Sequence, residues 1–124
     1  MKVIVFSAHD YEKSYFEELN SKNGHDIFFV YNHLNEESAI MAKGFDCVCA
    51  FVNDKLDDNV LHILKNNEIK LIALRSAGFN HIDLNAAAEL QLPVVRVPAY
   101  SPHAIAEHGV ALLLTLNRKI HKAY

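Results

Sequence analysis

Short apolar runs alternate with amphipathic stretches along the chain as far as Tyr100. Residues 2–6, 26–31, 46–52, 69–74 and 93–97 are dense in β-branched, aromatic and aliphatic side chains. They lack strict in–out alternation, which predicts strands buried on both faces. The stretches between them carry helix signals. Asp10 is placed to cap a helix on which Tyr15, Phe16 and Leu19 share a face, and Asn23-Gly24 closes it. Asn35 can cap a short helix with Ala39, Ile40 and Met41 turned inward, ahead of Gly44. Asp57 or Asp58 starts a helix whose apolar side is Val60, Leu61 and Leu64, and Asp83 caps another over 84–90. Strands alternating with helices predict an α/β fold. Right-handed crossovers then build a doubly wound parallel sheet of the flavodoxin-like kind.

The segment after Tyr100 breaks this pattern. Ser101 suits an N-cap, Pro102 suits the first helical position, and only Gly109 interrupts helix-forming residues up to Tyr124. About 22 residues at a rise of about 1.5 Å predict a helix of about 33 Å. From Ala104 to Leu116 it is apolar nearly all round, with Glu107, His108 and Thr115 as exceptions. Arg118, Lys119, His121 and Lys122 follow, where positive charge suits the helix dipole. Such a helix expects protein on most sides. The simplest closed arrangement is a homodimer through residues 104–120.

Composition narrows the partners. With 51% hydrophobic and 22% charged residues, the 124-residue chain can supply the core of one domain. A net charge of −3 and the lack of a long basic tract argue against nucleic acid. The longest apolar stretch, 109–116, is far short of the ~20 residues that span a bilayer. Residues 1–6 turn polar too quickly for a signal peptide. A cytoplasmic protein with no membrane partner is expected. Cys47 and Cys49 fall on one strand face with Cα atoms roughly 6.5–7 Å apart, at the limit for a disulfide. They read as two buried thiols in a reducing compartment, or alternatively as a metal pair. No two histidines have ligand spacing, and His103 and His108 lie about 140° apart around a helix axis. No metal site is expected from them.

The strongest chemical signal is Ser76-Ala77-Gly78-Phe79-Asn80-His81-Ile82-Asp83. A glycine-containing turn between a strand end and a helix start leaves backbone N–H groups free to bind an anion, carboxylates included. In doubly wound folds ligands lie at the carboxyl ends of the strands. That rule brings Phe51-Val52-Asn53-Asp54 and Pro98-Ala99-Tyr100 to the same place. An aromatic wall, N–H donors and a phenol together suit a small oxyacid anion. The plain alternative is that Gly78 only makes a tight turn, Phe51 belongs to the core and Tyr100 is a surface ring.

Five stretches carry a family resemblance: 1–7 (MKVIVFS), 51–54 (FVND), 72–80 (IALRSAGFN), 94–100 (VVRVPAY) and 116–124 (LNRKIHKAY). In this order and spacing they resemble the amino-terminal part of the NAD-dependent D-2-hydroxyacid dehydrogenases, the fermentative D-lactate dehydrogenases above all. The resemblance covers nearly the whole chain. It implies that residues 1–100 form a substrate domain, incomplete at its C-terminal helix, and that 101–124 form the first helix of a cofactor domain. It implies that the N–H groups of Ala77 and Gly78 hold the carboxylate of a small 2-keto or 2-hydroxy acid, with Phe51 and Tyr100 beside it. Ile105, Ala106 and Glu107 would line the cleft near the nicotinamide of NAD, Glu107 in a buried polar contact.

The chain also departs from that family. The arginine, histidine and glutamate on which the family's chemistry depends match nothing here. Arg75, Arg96, His103 and His108 are not their counterparts. The four glycines, Gly24, Gly44, Gly78 and Gly109, cannot form the G-x-G-x-x-G loop that cradles a dinucleotide. The expected parent activity is reduction of pyruvate to D-lactate with NADH, with this chain inactive by itself. The rival expectation is a stand-alone flavodoxin-like binding module that keeps a carboxylate pocket without catalysis.

Overall fold

A computed structural model describes residues 1–123. All five expected strands form: β1 (Lys2–Val5), β2 (Asp26–Phe29), β3 (Cys47–Ala50), β4 (Leu71–Leu74) and β5 (Val94–Arg96). They make one parallel sheet in the order β2-β1-β3-β4-β5, the doubly wound arrangement of the flavodoxin-like fold. The strands are shorter than the apolar runs because their ends turn into the connecting loops. Beyond β3, for example, Asp54 N–H donates to Phe51 O at 3.0 Å and closes a turn.

Alternate side chains pack on opposite faces of the sheet. Ile4, Phe6, Val48, Ala50, Ile72 and Leu74 meet Val60, Leu61 and Leu64 of α2 (Asp58–Asn66) and Ala86 and Ala87 of α3 (Leu84–Glu89). Val3, Val5, Cys49 and Ala73 meet Phe16 of α1 (Asp10–Asn20) on the other face. The caps are local and explicit. Asp57, rather than Asp58, starts α2, its Oδ1 accepting from Val60 N at 3.1 Å. Asp83 Oδ1 accepts from Asn85 N at 2.9 Å and Ala86 N at 3.0 Å.

Four expectations are corrected. The cap of α1 is His9, with Asp10 already helical, because Glu12 Oε2 reaches back to accept from His9 N at 3.0 Å. Tyr15 and Leu19 are largely exposed, and of the three expected inward residues only Phe16 packs against the sheet. The segment after Asn35 is a 3-10 turn, Ser38–Ala42, rather than an α-helix. Its three-residue period aligns Ala39 with Ala42, both buried, and leaves Ile40 and Met41 outside. The last helix, α4 (Pro102–Arg118), is shorter than expected. Lys119 takes a left-handed conformation, φ 53°, and one 3-10 turn follows at Ile120–Lys122. Tyr124 lies outside the described residues. Among the described residues no helix is long and apolar enough to cross a membrane.

The two cysteines are free, buried thiols facing α1. Burial disfavours the thiolate and pushes Cys47 up to about 11 and Cys49 up to about 12, from an ordinary 9.0. Above pH 9 the unfolded chain therefore loses protons that the folded chain keeps. The thiols' contribution to stability is full below pH 9 and falls as pH rises toward 11–12. Urea midpoints should drop between pH 8 and pH 10.5, and the drop should be smaller in a Cys47→Ala/Cys49→Ala variant. A thiol reagent at pH 8 should label neither residue until urea is added. Rapid labelling of the native chain would contradict this.

Candidate functional site

One cavity of about 430 Å³ opens at the carboxyl ends of β3, β4 and β5. Phe51 and Val52 form one side, and Arg75, Ser76, Ala77 and Gly78 form the floor. Val97, Tyr100 and Ile105 of α4 close the third side. The sheet order decides this meeting, because the loops after three neighbouring strands must share one edge.

The turn after β4 is built to present its N–H groups. Ser76 Oγ donates to Gly78 O at 2.7 Å. Arg96 Nη1 donates to Ala77 O, Val97 O and Pro98 O, each at 3.1 Å, and its guanidinium lies 5.1 Å from the Phe79 ring centroid. Both carbonyls of the Ala77–Gly78 unit are thus engaged. Among the described residues, neither the Ala77 nor the Gly78 N–H donates to another group of the chain. Two free donors beside a cavity with mostly apolar walls are a chemistry that suits an anionic oxygen. Arg96 serves as a brace for this turn and is spent on carbonyls.

Arg75 is the wall's charged member, and its charge is already matched. Its Nη1 donates to Glu12 Oε2 at 2.8 Å, with the two side chains only 11% and 17% exposed. Its Nη2 donates to Phe6 O at 2.7 Å and Ser7 O at 3.2 Å. The guanidinium lies 5.0 Å from the Phe51 ring centroid, a cation–π contact that supports the aromatic wall.

Of the residues singled out from the sequence, Phe51, Ala77, Gly78, Tyr100 and Ile105 line the one cavity. Ala106 and Glu107 do not line it, and both are exposed. The buried polar contact expected for Glu107 is absent from the described residues. On a helix whose Ile105 faces the cavity, Glu107 lies about 200° further round and points away. At Gly78 the φ is outside the left-handed region, and a Cβ there would meet nothing within 4 Å. The Glu12–Arg75 pair and the buried Asp54 were not foreseen. Only Arg75 carries a sequence signal, a charged residue directly after an apolar strand, which many loops share.

Comparison with known proteins agrees with the fold. Residues 3–121 match the family described as D-isomer specific 2-hydroxyacid dehydrogenase, catalytic domain. The chain belongs to this family of D-2-hydroxyacid dehydrogenases. It is 52% identical to 2-hydroxyacid dehydrogenase homolog 1 of Schizosaccharomyces pombe, over 100% of this chain and 37% of that protein. The solved apo-structure of D-lactate dehydrogenase from Escherichia coli superposes with a TM-score of 0.85 at 49% identity. That match covers 100% of this chain and 39% of the other. The NAD-complexed form of a D-isomer specific 2-hydroxyacid dehydrogenase from Lactobacillus delbrueckii ssp. bulgaricus matches with a TM-score of 0.72 and 30% identity, over 98% of this chain and 37% of that one. The chain thus spans well under half the length of the relatives it matches.

Proposed function

We propose that this chain is the substrate-binding part of a cytoplasmic, NAD-dependent D-lactate dehydrogenase, which reduces pyruvate with NADH and a proton to D-lactate and NAD⁺. The observation that carries the reading is the pair of free N–H groups at Ala77 and Gly78, in a cavity flanked by Phe51 and Tyr100. The donors orient the substrate carboxylate, and Phe51 excludes water from the apolar end. The Tyr100 ring lies across from it, largely exposed until a neighbour covers it. These residues bind and orient; none is a proton donor for the keto oxygen. On this reading residues 1–100 are the substrate domain and 101–124 lead into a cofactor domain, with Ile105 at the boundary.

The residues of this chain do not themselves fit NAD. No glycine-rich strand–helix turn among them can cradle a pyrophosphate. The cofactor, and with it the hydride, belongs to the rest of the longer polypeptide. The test compares the full-length protein with the isolated 124-residue chain. The full-length protein should oxidise NADH with pyruvate and form D-lactate. The chain alone should do neither and should bind no NADH. Full-length protein that binds pyruvate but turns nothing over would favour a non-catalytic binding module.

The same reading assigns α4 to a homodimer. Val110, Leu112, Leu113, Leu114, Leu116 and Ile120 are each more than half exposed, an apolar surface uncommon on monomers. Light scattering should give at least a dimer, and charged substitutions at Leu113 and Leu116 should give a monomer. A wild-type monomer at tens of micromolar would refute the assignment.

A further inference from the structure

Asp54 is among the most deeply buried polar groups of the fold, its side chain 0% exposed. Its Oδ1 accepts from Ser7 Oγ at 2.5 Å and Leu34 N at 2.8 Å, and its Oδ2 accepts from Phe51 N at 2.6 Å. Every neighbour is a donor, so the group is used as an acceptor-only carboxylate. One side chain thereby ties together the loops that follow β1, β2 and β3. His33 Nδ1 lies 2.7 Å from Ser7 Oγ. Serine, histidine and aspartate in contact suggest a nucleophile at first sight, but the proton order excludes it. Ser7 gives its single proton to Asp54, so His33 must donate to Ser7 and cannot act as its base.

The network leads instead to the cavity. The turn from Phe51 to Asp54 is closed twice, by Asp54 N to Phe51 O at 3.0 Å and by Phe51 N to Asp54 Oδ2. Its first two residues, Phe51 and Val52, are cavity wall. The Phe51 ring is held separately by the Arg75 guanidinium at 5.0 Å and the edge of His9 at 6.5 Å. We infer that Asp54 is a positioning residue: through the Phe51 N–H it fixes where the aromatic wall stands relative to the Ala77–Gly78 donors. This rests on the 2-keto acid reading of that cavity.

Asp54→Asn is a selective probe. The single amide oxygen can stay with Ser7 and Leu34, which turns the NH₂ toward the Phe51 N–H, donor against donor. Ser7→Ala removes a different partner of the same carboxylate and leaves the Phe51 bond intact. In the full-length enzyme Asp54→Asn should raise KM for pyruvate about tenfold, the loss of roughly one hydrogen bond's positioning, with kcat changed less than about threefold. Ser7→Ala should lower the melting temperature but leave KM within about twofold. In a Phe51→Ala background the Asp54→Asn effect on KM should largely vanish. Equal KM values for Asp54→Asn and Ser7→Ala would overturn the inference, whereas a wild-type enzyme without turnover would overturn the functional reading alone. Should Asp54→Asn fail to fold, or wild type lack turnover, amide exchange in the wild-type chain decides. The Phe51 N–H should exchange at least about 100-fold more slowly than that of Asn53, and equal rates would show that Asp54 does not grip the turn.

Discussion

Gly78→Val is expected to lower kcat/KM for pyruvate by about 100-fold or more in the full-length enzyme while leaving the fold almost untouched. Neither a left-handed backbone nor a clash at Cβ is the cause. Gly78 does not use a left-handed φ, and a Cβ there meets nothing within 4 Å. Substitutions at such open positions usually change stability by no more than about 0.5 kcal/mol. On the proposed reading, the added side chain would compete with the substrate carboxylate for the space beside the Ala77 and Gly78 N–H groups. A displacement of about 1 Å from productive geometry can cost about 100-fold in rate. Steady-state kinetics and a melting curve on the same preparation check both halves. Unchanged kcat/KM would remove this turn from the substrate site. A collapse of the melting temperature would mean that the glycine is needed for folding.

The largest expected effect on stability is at Glu12. The glutamine that replaces it in Glu12→Gln can still accept from His9 N and Arg75 Nη1, so the change removes charge and little else. Arg75 is then left as an uncompensated cation, 11% exposed. Removing one partner of a buried pair costs about 3–5 kcal/mol, and the retained hydrogen bonds place this case near 3 kcal/mol. Adding Arg75→Met should give a double variant less destabilised than the sum of the single ones, because the cation is gone as well. Urea denaturation of all four proteins measures the coupling. A loss below about 1 kcal/mol for Glu12→Gln would show that solvent already screens the pair.

Local signals decided much of the fold. The apolar runs at 2–6, 46–52 and 69–74 became β1, β3 and β4 because a strand buried on both faces has few other ways to hide such residues. Asp57, Asp83 and Ser101 cap helices because an oxygen one or two bonds from Cβ can reach the N–H groups two or three residues on. Where the outcome depended on how tightly a segment winds or on what lies next to it, sequence patterns misled. Ile40 and Met41 look as inward-facing as Ala39 until the 3-10 geometry turns them out. Glu107 looks enclosed by apolar neighbours, yet it is exposed among the described residues.

The candidate site divides in the same way. Residue type and order determined by themselves that the Ser76–Gly78 turn offers N–H donors at a strand end, and that Phe51 and Tyr100 belong near it. Those properties are local or follow from the strand order of a doubly wound sheet. Only the tertiary structure decided which charges are already in use. Nothing along the chain says whether the charges of Arg75 and Arg96 are free. In space one is matched by Glu12, 63 positions away, and the other is occupied by three carbonyls. Asp54 likewise becomes the anchor of the cavity wall only when Ser7 and Leu34 arrive from the loops after β1 and β2. A side chain's chemistry is written in its own residue, but whether its charge and donors are free depends on partners that only folding brings within hydrogen-bond distance.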